Sequence, residues 1–177
     1  KMVSYKLIVM GDERVGIREL TTQLNLRCLA ELHDPMPATW EGYYPKKAVI
    51  DGVVCTIEVS ILQDQQLKDY TAFRDPYLRD GEGFVLVYSV TSRSSFAQIE
   101  GFHRQIQVAK DSSSTIPIML VGHNTEQETE REVATREGRS LAWKLGCEFE
   151  EVSSKNDINV AEAFFNVVRS LRRQRMQ

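Results

Sequence analysis

Cysteine is scarce in this chain. Cys28, Cys55 and Cys147 are widely separated and form no CxxC pair. An odd, scattered set excludes a disulfide framework or a zinc site built from paired thiolates, and it suits a reducing compartment. Long apolar runs are missing too; none approaches the ~18 residues that a membrane-spanning helix needs. Residues 1–10 are a short apolar stretch that passes straight into polar residues, so no secretory signal is expected there. There is no large excess of charge of either sign, since 22 basic and 25 acidic side chains leave a net charge of −3. That balance argues against nucleic acid as the main partner. Internal repeats, low-complexity tracts, serine–histidine–acid sets and clusters of metal-ligating residues are also lacking, so no metal site is expected. One local exception is residues 169–175, which hold four arginines. They read either as a solvated helix end, where cations suit the macrodipole, or as a contact for an anionic membrane surface.

What is present is ordinary globular material. A length of 177 residues fits one domain. A hydrophobic share of 42% with 27% charged residues excludes disorder, collagen and coiled coil. Short apolar runs at 5–10, 84–90 and 116–121 read as buried strands. Between them, residues 16–26, 95–110, 130–145 and 157–173 carry apolar side chains at helical spacing. Asp51-Gly52 is a two-residue hairpin signal between residues 49–50 and 53–61, and residues 147–152 form a last short strand. Strands alternating with amphipathic helices predict an α/β fold, with a mostly parallel sheet covered on both faces. The most irregular stretches are 28–45, which holds three of the five prolines, and the polar residues 60–69. Ligands of such sheets bind at the carboxyl ends of the strands. The segments after Met10, Ile61, Val121 and Val152 are therefore expected to meet at one site.

The first of these segments, residues 11–18, is Gly-Asp-Glu-Arg-Val-Gly-Ile-Arg. A phosphate-binding loop is Gly, four residues, Gly, Lys, then Ser or Thr: the glycines let backbone N–H groups wrap phosphates, the lysine reaches the terminal phosphates and the hydroxyl holds Mg²⁺. Gly11 and Gly16 keep that spacing, while Ile17 stands at the lysine position and Arg18 at the hydroxyl position. Together with Tyr5-Lys6-Leu7, the hairpin Val49-Ile50-Asp51-Gly52, Arg74-Asp75, Gly81-Glu82-Gly83-Phe84, Leu120-Val121-Gly122 and Ser153-Ser154-Lys155, the loop resembles the Ras family of small GTPases over almost the whole chain. The resemblance implies a Ras-like P-loop G domain over residues 1–177, with a six-stranded, mostly parallel sheet and helices on both faces.

The same resemblance exposes departures. Counting back from the hairpin puts the family's first-switch threonine at Thr39, followed by Trp40-Glu41. Counting forward from Asp34-Pro35 selects Met36, so a few extra residues separate the two counts. Ile61 replaces the aspartate that supports Mg²⁺, and Asp64 replaces the glycine that meets the terminal phosphate. Gln65 or Gln66 stands near the place of the water-positioning glutamine. The guanine-reading motif aligns with His123, Asn124, Thr125 and Glu126: Glu126 keeps a carboxylate on a longer arm, and Asn124 cannot cover a base as lysine does. His123 reads first as a loop residue with an ordinary partner and second as a proton switch.

A charge-assisted hydrogen bond contributes about 1.5–3 kcal/mol, so three such losses suggest roughly 5–9 kcal/mol. That is several orders of magnitude in affinity. Asp12 and Glu13 are expected to repel nucleotide. Arg18 is expected either to pair with Asp64, or with Glu13, in place of the phosphate–metal centre, or to point outward, as Asp64 then does. These readings lead to a pseudoGTPase: a protein-binding module and not an enzyme, with no catalytic residue and no cofactor. The alternative is an atypical GTP-binding switch with very slow hydrolysis, holding GTP or GDP weakly, without Mg²⁺, through Gly11, Gly16, Glu126, Ser153, Ser154 and Lys155. The resemblance places an effector or regulatory protein on the first switch, here Asp34, Pro35, Thr39, Trp40, Glu41, Tyr43 and Tyr44. It also implies a cytoplasmic location, with the cytoplasmic face of a membrane reached through a C-terminal tail that this sequence does not contain.

Overall fold

A computed structural model describes residues 2–32, 46–63, 71–110 and 115–177, without the side chains of 71–75. The chain runs β1 (Ser4–Gly11), α1 (Ile17–Leu32), β2 (Lys46–Ile50), β3 (Val53–Gln63), α2 (Thr71–Asp80), β4 (Gly83–Ser89), α3 (Arg93–Ala97), α4 (Ile99–Lys110), β5 (Ile118–His123), a 3₁₀ turn (Glu128–Glu130), α5 (Thr135–Leu145), β6 (Glu148–Glu151) and α6 (Val160–Arg175). The six strands lie in the order β2-β3-β1-β4-β5-β6. β2 pairs antiparallel with β3, and every other neighbour pair is parallel. The expected fold class is the one observed.

The central strands read as continuous apolar runs because both of their faces are covered. Every residue of β4 and of β5 is buried. One core layer joins α1 and α6 to the sheet through Leu20, Leu24, Phe164 and Val168. The other joins α4 and α5 to the opposite face through Phe102, Ile106, Leu86 and Leu120. Tyr88 lies in that second layer, edge-on to Phe96 with centroids 4.8 Å apart. The hairpin turns on Asp51 and Gly52, both at positive φ, as its dipeptide requires.

Several boundaries differ from the sequence reading. The apolar stripe over 95–110 belongs to two helices, with Gln98 as the C-cap of α3. The helix expected from residue 130 begins at Thr135, because the preceding residues form a 3₁₀ turn. β3 runs on to Gln63, opposite Gly11. Ile61 thus sits within a strand in register with Val9 and packs against the core. The strand expected to end at Ile61 continues two residues past it. α2 was not read from the sequence at all.

The four arginines do form the helix end that the first reading expected, in the last turns of α6, but they are engaged there. Arg169 donates to Asp51 at 2.9 Å and to Glu162 at 2.8 Å. Arg172 donates to the Ile50 carbonyl at 2.7 Å. Arg175 donates to Glu82 and to the Ser4 carbonyl, and lies over the Tyr5 ring. Arg173 bonds Ser170 on its own helix. Three of these side chains thus fasten α6 to the hairpin and to the start of β1.

Candidate functional site

The loops after β1, β5 and β6 meet at the carboxyl ends of their strands, as the topology requires. Gly11 closes β1 under the first loop. A Cβ there would lie 2.7 Å from the Val87 carbonyl oxygen, so no other residue fits without moving backbone. Gly16 opens α1 at φ +83, and its missing Cβ would lie 2.8 Å from the His123 ring. Both glycines are therefore demanded by backbone geometry as well as by the motif.

His123 ends β5 and is 1% exposed. Its Nδ1 lies 2.7 Å from the Val15 carbonyl oxygen, and its Nε2 lies 2.8 Å from Ser154 Oγ and 3.3 Å from Ser154 N. A carbonyl only accepts, so Nδ1 carries the proton and Nε2 accepts from Ser154. Burial lowers the His123 pKa, against opposing pulls from the Val15 contact, Glu126 and Glu19. The histidine has the ordinary hydrogen-bond partners its first reading expected, but it ends a strand and bridges two loops instead of lying in one.

Ser153 Oγ donates to Glu126 Oε1 at 2.7 Å and accepts from Asn156 N. Burial tends to raise the Glu126 pKa, but hydrogen bonds from Ser153, the backbone and Gln127 outweigh it, and the carboxylate is held below its usual range. Asn124 adopts positive φ and donates its amide to Ser89 Oγ at 2.9 Å. Lys155 is exposed. The structure therefore brings together Gly11, Gly16, His123, Glu126, Ser153 and Ser154.

Ile17 and Arg18 part company at the start of α1. Ile17 is 1% exposed and belongs to the core, filling space beside Gly11 and Val15. Arg18 is exposed, and so is Glu13. No ion pair joins Arg18 to any described residue, so the expected pairing with Glu13 is not made; Asp64 lies outside the described residues. Arg18 offers no oxygen ligand at the hydroxyl position, and a guanidinium cannot coordinate a cation. The described residues therefore do not fit Mg²⁺ at this position.

Asp12 does not face outward as a free charge. It is 5% exposed. Its Oδ1 accepts from Arg14 N at 2.9 Å, and its Oδ2 accepts from Gln98 Nε2 at 2.8 Å. Burial raises its pKa, yet the bonds from Arg14 and Gln98 win and keep it ionised. Asp12 therefore keeps its negative charge but holds it against Arg14 and Gln98. Its partner Gln98 lies 86 residues away, and no signal in the sequence pointed to it. Of the first-switch residues, Asp34, Pro35, Thr39, Trp40, Glu41, Tyr43 and Tyr44 all lie outside the described residues, as do Gln65 and Gln66.

A parallel sheet flanked by helices, with a Gly-x₄-Gly loop between its first parallel strand and α1, defines a Ras-like G-domain fold of the P-loop class. A model of the Ras family matches residues 6–173. Protein ras-2 of Neurospora crassa is 49% identical over 195 residues, covering 100% of this chain and 83% of that protein. Ras-like protein 1 of Pyricularia oryzae is 50% identical over 190 residues, covering 98% and 77%. Ras-like protein B of Aspergillus fumigatus is 45% identical over 198 residues, covering 99% and 81%. The chain belongs to the Ras family.

This membership overturns the expectation that the protein is not an enzyme. Its family model and its relatives are Ras proteins, which are GTPases, and nothing in the comparisons points to a pseudoenzyme. The expectation counted lost side-chain contacts. The backbone N–H groups of the loop framed by Gly11 and Gly16 do not depend on those side chains. No helix among the described residues is long and apolar enough to cross a membrane.

Proposed function

We propose that the protein is a Ras-family signalling switch that binds GTP and GDP and hydrolyses GTP slowly. The observation that carries this reading is the joined loop set. Gly11 and Gly16 frame a backbone loop at the start of α1, and Glu126 is held ionised by Ser153 on the loop that would face a base. Phosphates would meet the backbone N–H groups of residues 12–17 and the positive end of the α1 dipole. Arg18, at the mouth of that loop, adds a cation where the family uses a metal-binding hydroxyl. Glu126 would accept hydrogen bonds from a guanine edge, and Lys155 and Ser154 would complete the base loop. Slow hydrolysis follows from the buried Ile17, since phosphoryl transfer in this fold rests on positioned charge.

Effectors and regulators are proposed to dock on residues 34–48, where Trp40, Tyr43 and Tyr44 are suitable anchors. β2, which holds the last of these residues, lies at the edge of the sheet. The proposed signalling takes place in the cytoplasm or at the cytoplasmic face of a membrane.

The test is titration with fluorescent GDP and GTP, with Mg²⁺ and with EDTA, after assaying the purified protein for bound nucleotide. The expected result is saturable binding of both, with affinities in Mg²⁺ and EDTA agreeing within about threefold, because Arg18 supplies no metal ligand. Absence of binding up to high micromolar nucleotide would overturn the reading. A large gain with Mg²⁺ would overturn the role given to Arg18.

A further inference from the structure

His123 is the only side chain that bonds both the loop after β1 and the loop after β6 among the described residues. Its two ring nitrogens have fixed and opposite roles. Nδ1 must donate, because Val15 offers only a carbonyl oxygen. Nε2 must accept, because Ser154 N cannot do anything but donate. The Ser154 hydroxyl completes the contact from the same side. Gly16 packs against the ring edge, so the ring cannot shift toward α1 without meeting backbone.

We infer that His123 is a positioning residue that clamps the phosphate loop to the base loop only while it is neutral, so that acid breaks the Ser154 side of the clamp, parts the two loops and speeds nucleotide release. A proton on Nε2 sets an N–H against the Ser154 N–H. The hydroxyl can turn to accept, but the backbone amide cannot, so the segment at Ser154 has to move. The charged groups facing the ring are Glu126 of its own loop and Glu19 of α1. The segment after β6 presents Ser154, with Lys155 exposed. Asp12 of the first loop is already engaged by Arg14 and Gln98. Neither carboxylate reaches His123 with a hydrogen bond, so neither replaces the contact that the proton breaks. The kinetic part of this inference rests on the proposed nucleotide binding; the clamp itself does not.

The test combines release of fluorescent GDP between pH 5 and 8 with amide hydrogen exchange of the full chain, both with GDP and without nucleotide. Three proteins are compared: wild type, His123→Ala and His123→Asn. Asparagine offers one donor and one acceptor and has no titration in this range. His123→Ala is expected to speed release about tenfold at pH 7.5, the loss of two hydrogen bonds. It is also expected to raise exchange in residues 12–18 and 153–157 together. His123→Asn is expected to keep release within about threefold of wild type at pH 7.5 and to lose the wild-type acceleration in acid. If His123→Ala does not fold, the asparagine variant and the wild-type pH profile carry the test.

The inference is overturned if exchange rises in only one loop or in neither, or if His123→Asn keeps the acid acceleration. Should wild type hold no GDP at any pH while both loops loosen in His123→Ala, the proposed function falls and the clamp stands. Should wild type bind GDP with neither loop altered by His123→Ala, the clamp falls and the proposed function stands.

Discussion

The two ends of the sheet are built from opposite materials. At the carboxyl ends of the parallel strands the joints are buried and mostly neutral: Gly11 under Val87, Gly16 against His123, and His123 between Val15 and Ser154. At the other end the joints are ionic and half open to solvent, with Arg169 on Asp51 and Glu162 and Arg175 on Glu82 and the Tyr5 ring. A buried contact fails all at once, because its partner is left unsatisfied away from water. An exposed ion pair fails by degrees, because water and salt replace it. The chain thus places its rigid joints where loops must be held in register and its tolerant joints where α6 merely closes the structure.

This contrast breaks most sharply at Gly11. Gly11→Val drives a side chain into the Val87 carbonyl and the Ile17 methyl. It is expected to cost about 3 kcal/mol or more in urea unfolding. A cost below about 1 kcal/mol would mean that the loop end yields as easily as the other.

Arg169→Ala comes next. Arg169 holds two acidic partners and Asn166, and it is expected to lower Tm by about 2–4 °C. Its effect should shrink at high salt, whereas that of Gly11→Val should not.

Acid titration sharpens the comparison from the loop side. The pKa values of His123 and His103 are both lowered, chiefly by burial. The unfolded chain therefore takes up these protons first, near the ordinary 6.5, and stability falls as pH drops below that value toward the folded ones. Asp12 and Glu126 are lowered by their hydrogen bonds, so their contribution is intact above about pH 4 and disappears below it. Unfolding followed from pH 7.5 downward should show two declines. His123→Asn should reduce the first and leave the share of His103.

The smallest effect is expected at Lys144, whose pair with Glu100 spans 3.4 Å between exposed side chains. Lys144→Ala should change stability by no more than about 0.5 kcal/mol.

Much of the architecture was legible in the residues. β1, β4 and β5 are short apolar runs with no competing pattern, and α6 carries a full apolar face. α2 escaped because its residues are largely polar and include Pro76, which weakens any helical reading. The division at Gln98 escaped because the apolar stripe continues across it. At the site, the spacing of Gly11 and Gly16 and the carboxylate of Glu126 were visible, since each is a local property. The bridge made by His123 was not, because its partner Val15 lies 108 residues away and only the finished sheet brings them together. The partner of Asp12 was hidden for the same reason, since Gln98 lies 86 residues away. The partners of the arginines at 169–175 were hidden in the same way, because Asp51, Ile50 and Ser4 are so remote in sequence.

The contact of Arg175 with Ser4 and Tyr5 has a geometric consequence of its own. It brings the segment entering β1 beside the segment leaving α6, at the edge opposite the loops after β1, β5 and β6. A tether on either segment would hold the molecule by its closed side and turn those loops outward. Two fluorophores placed on the two segments would stay close together whatever the loops do, and so provide a fixed internal ruler against which loop motion can be measured.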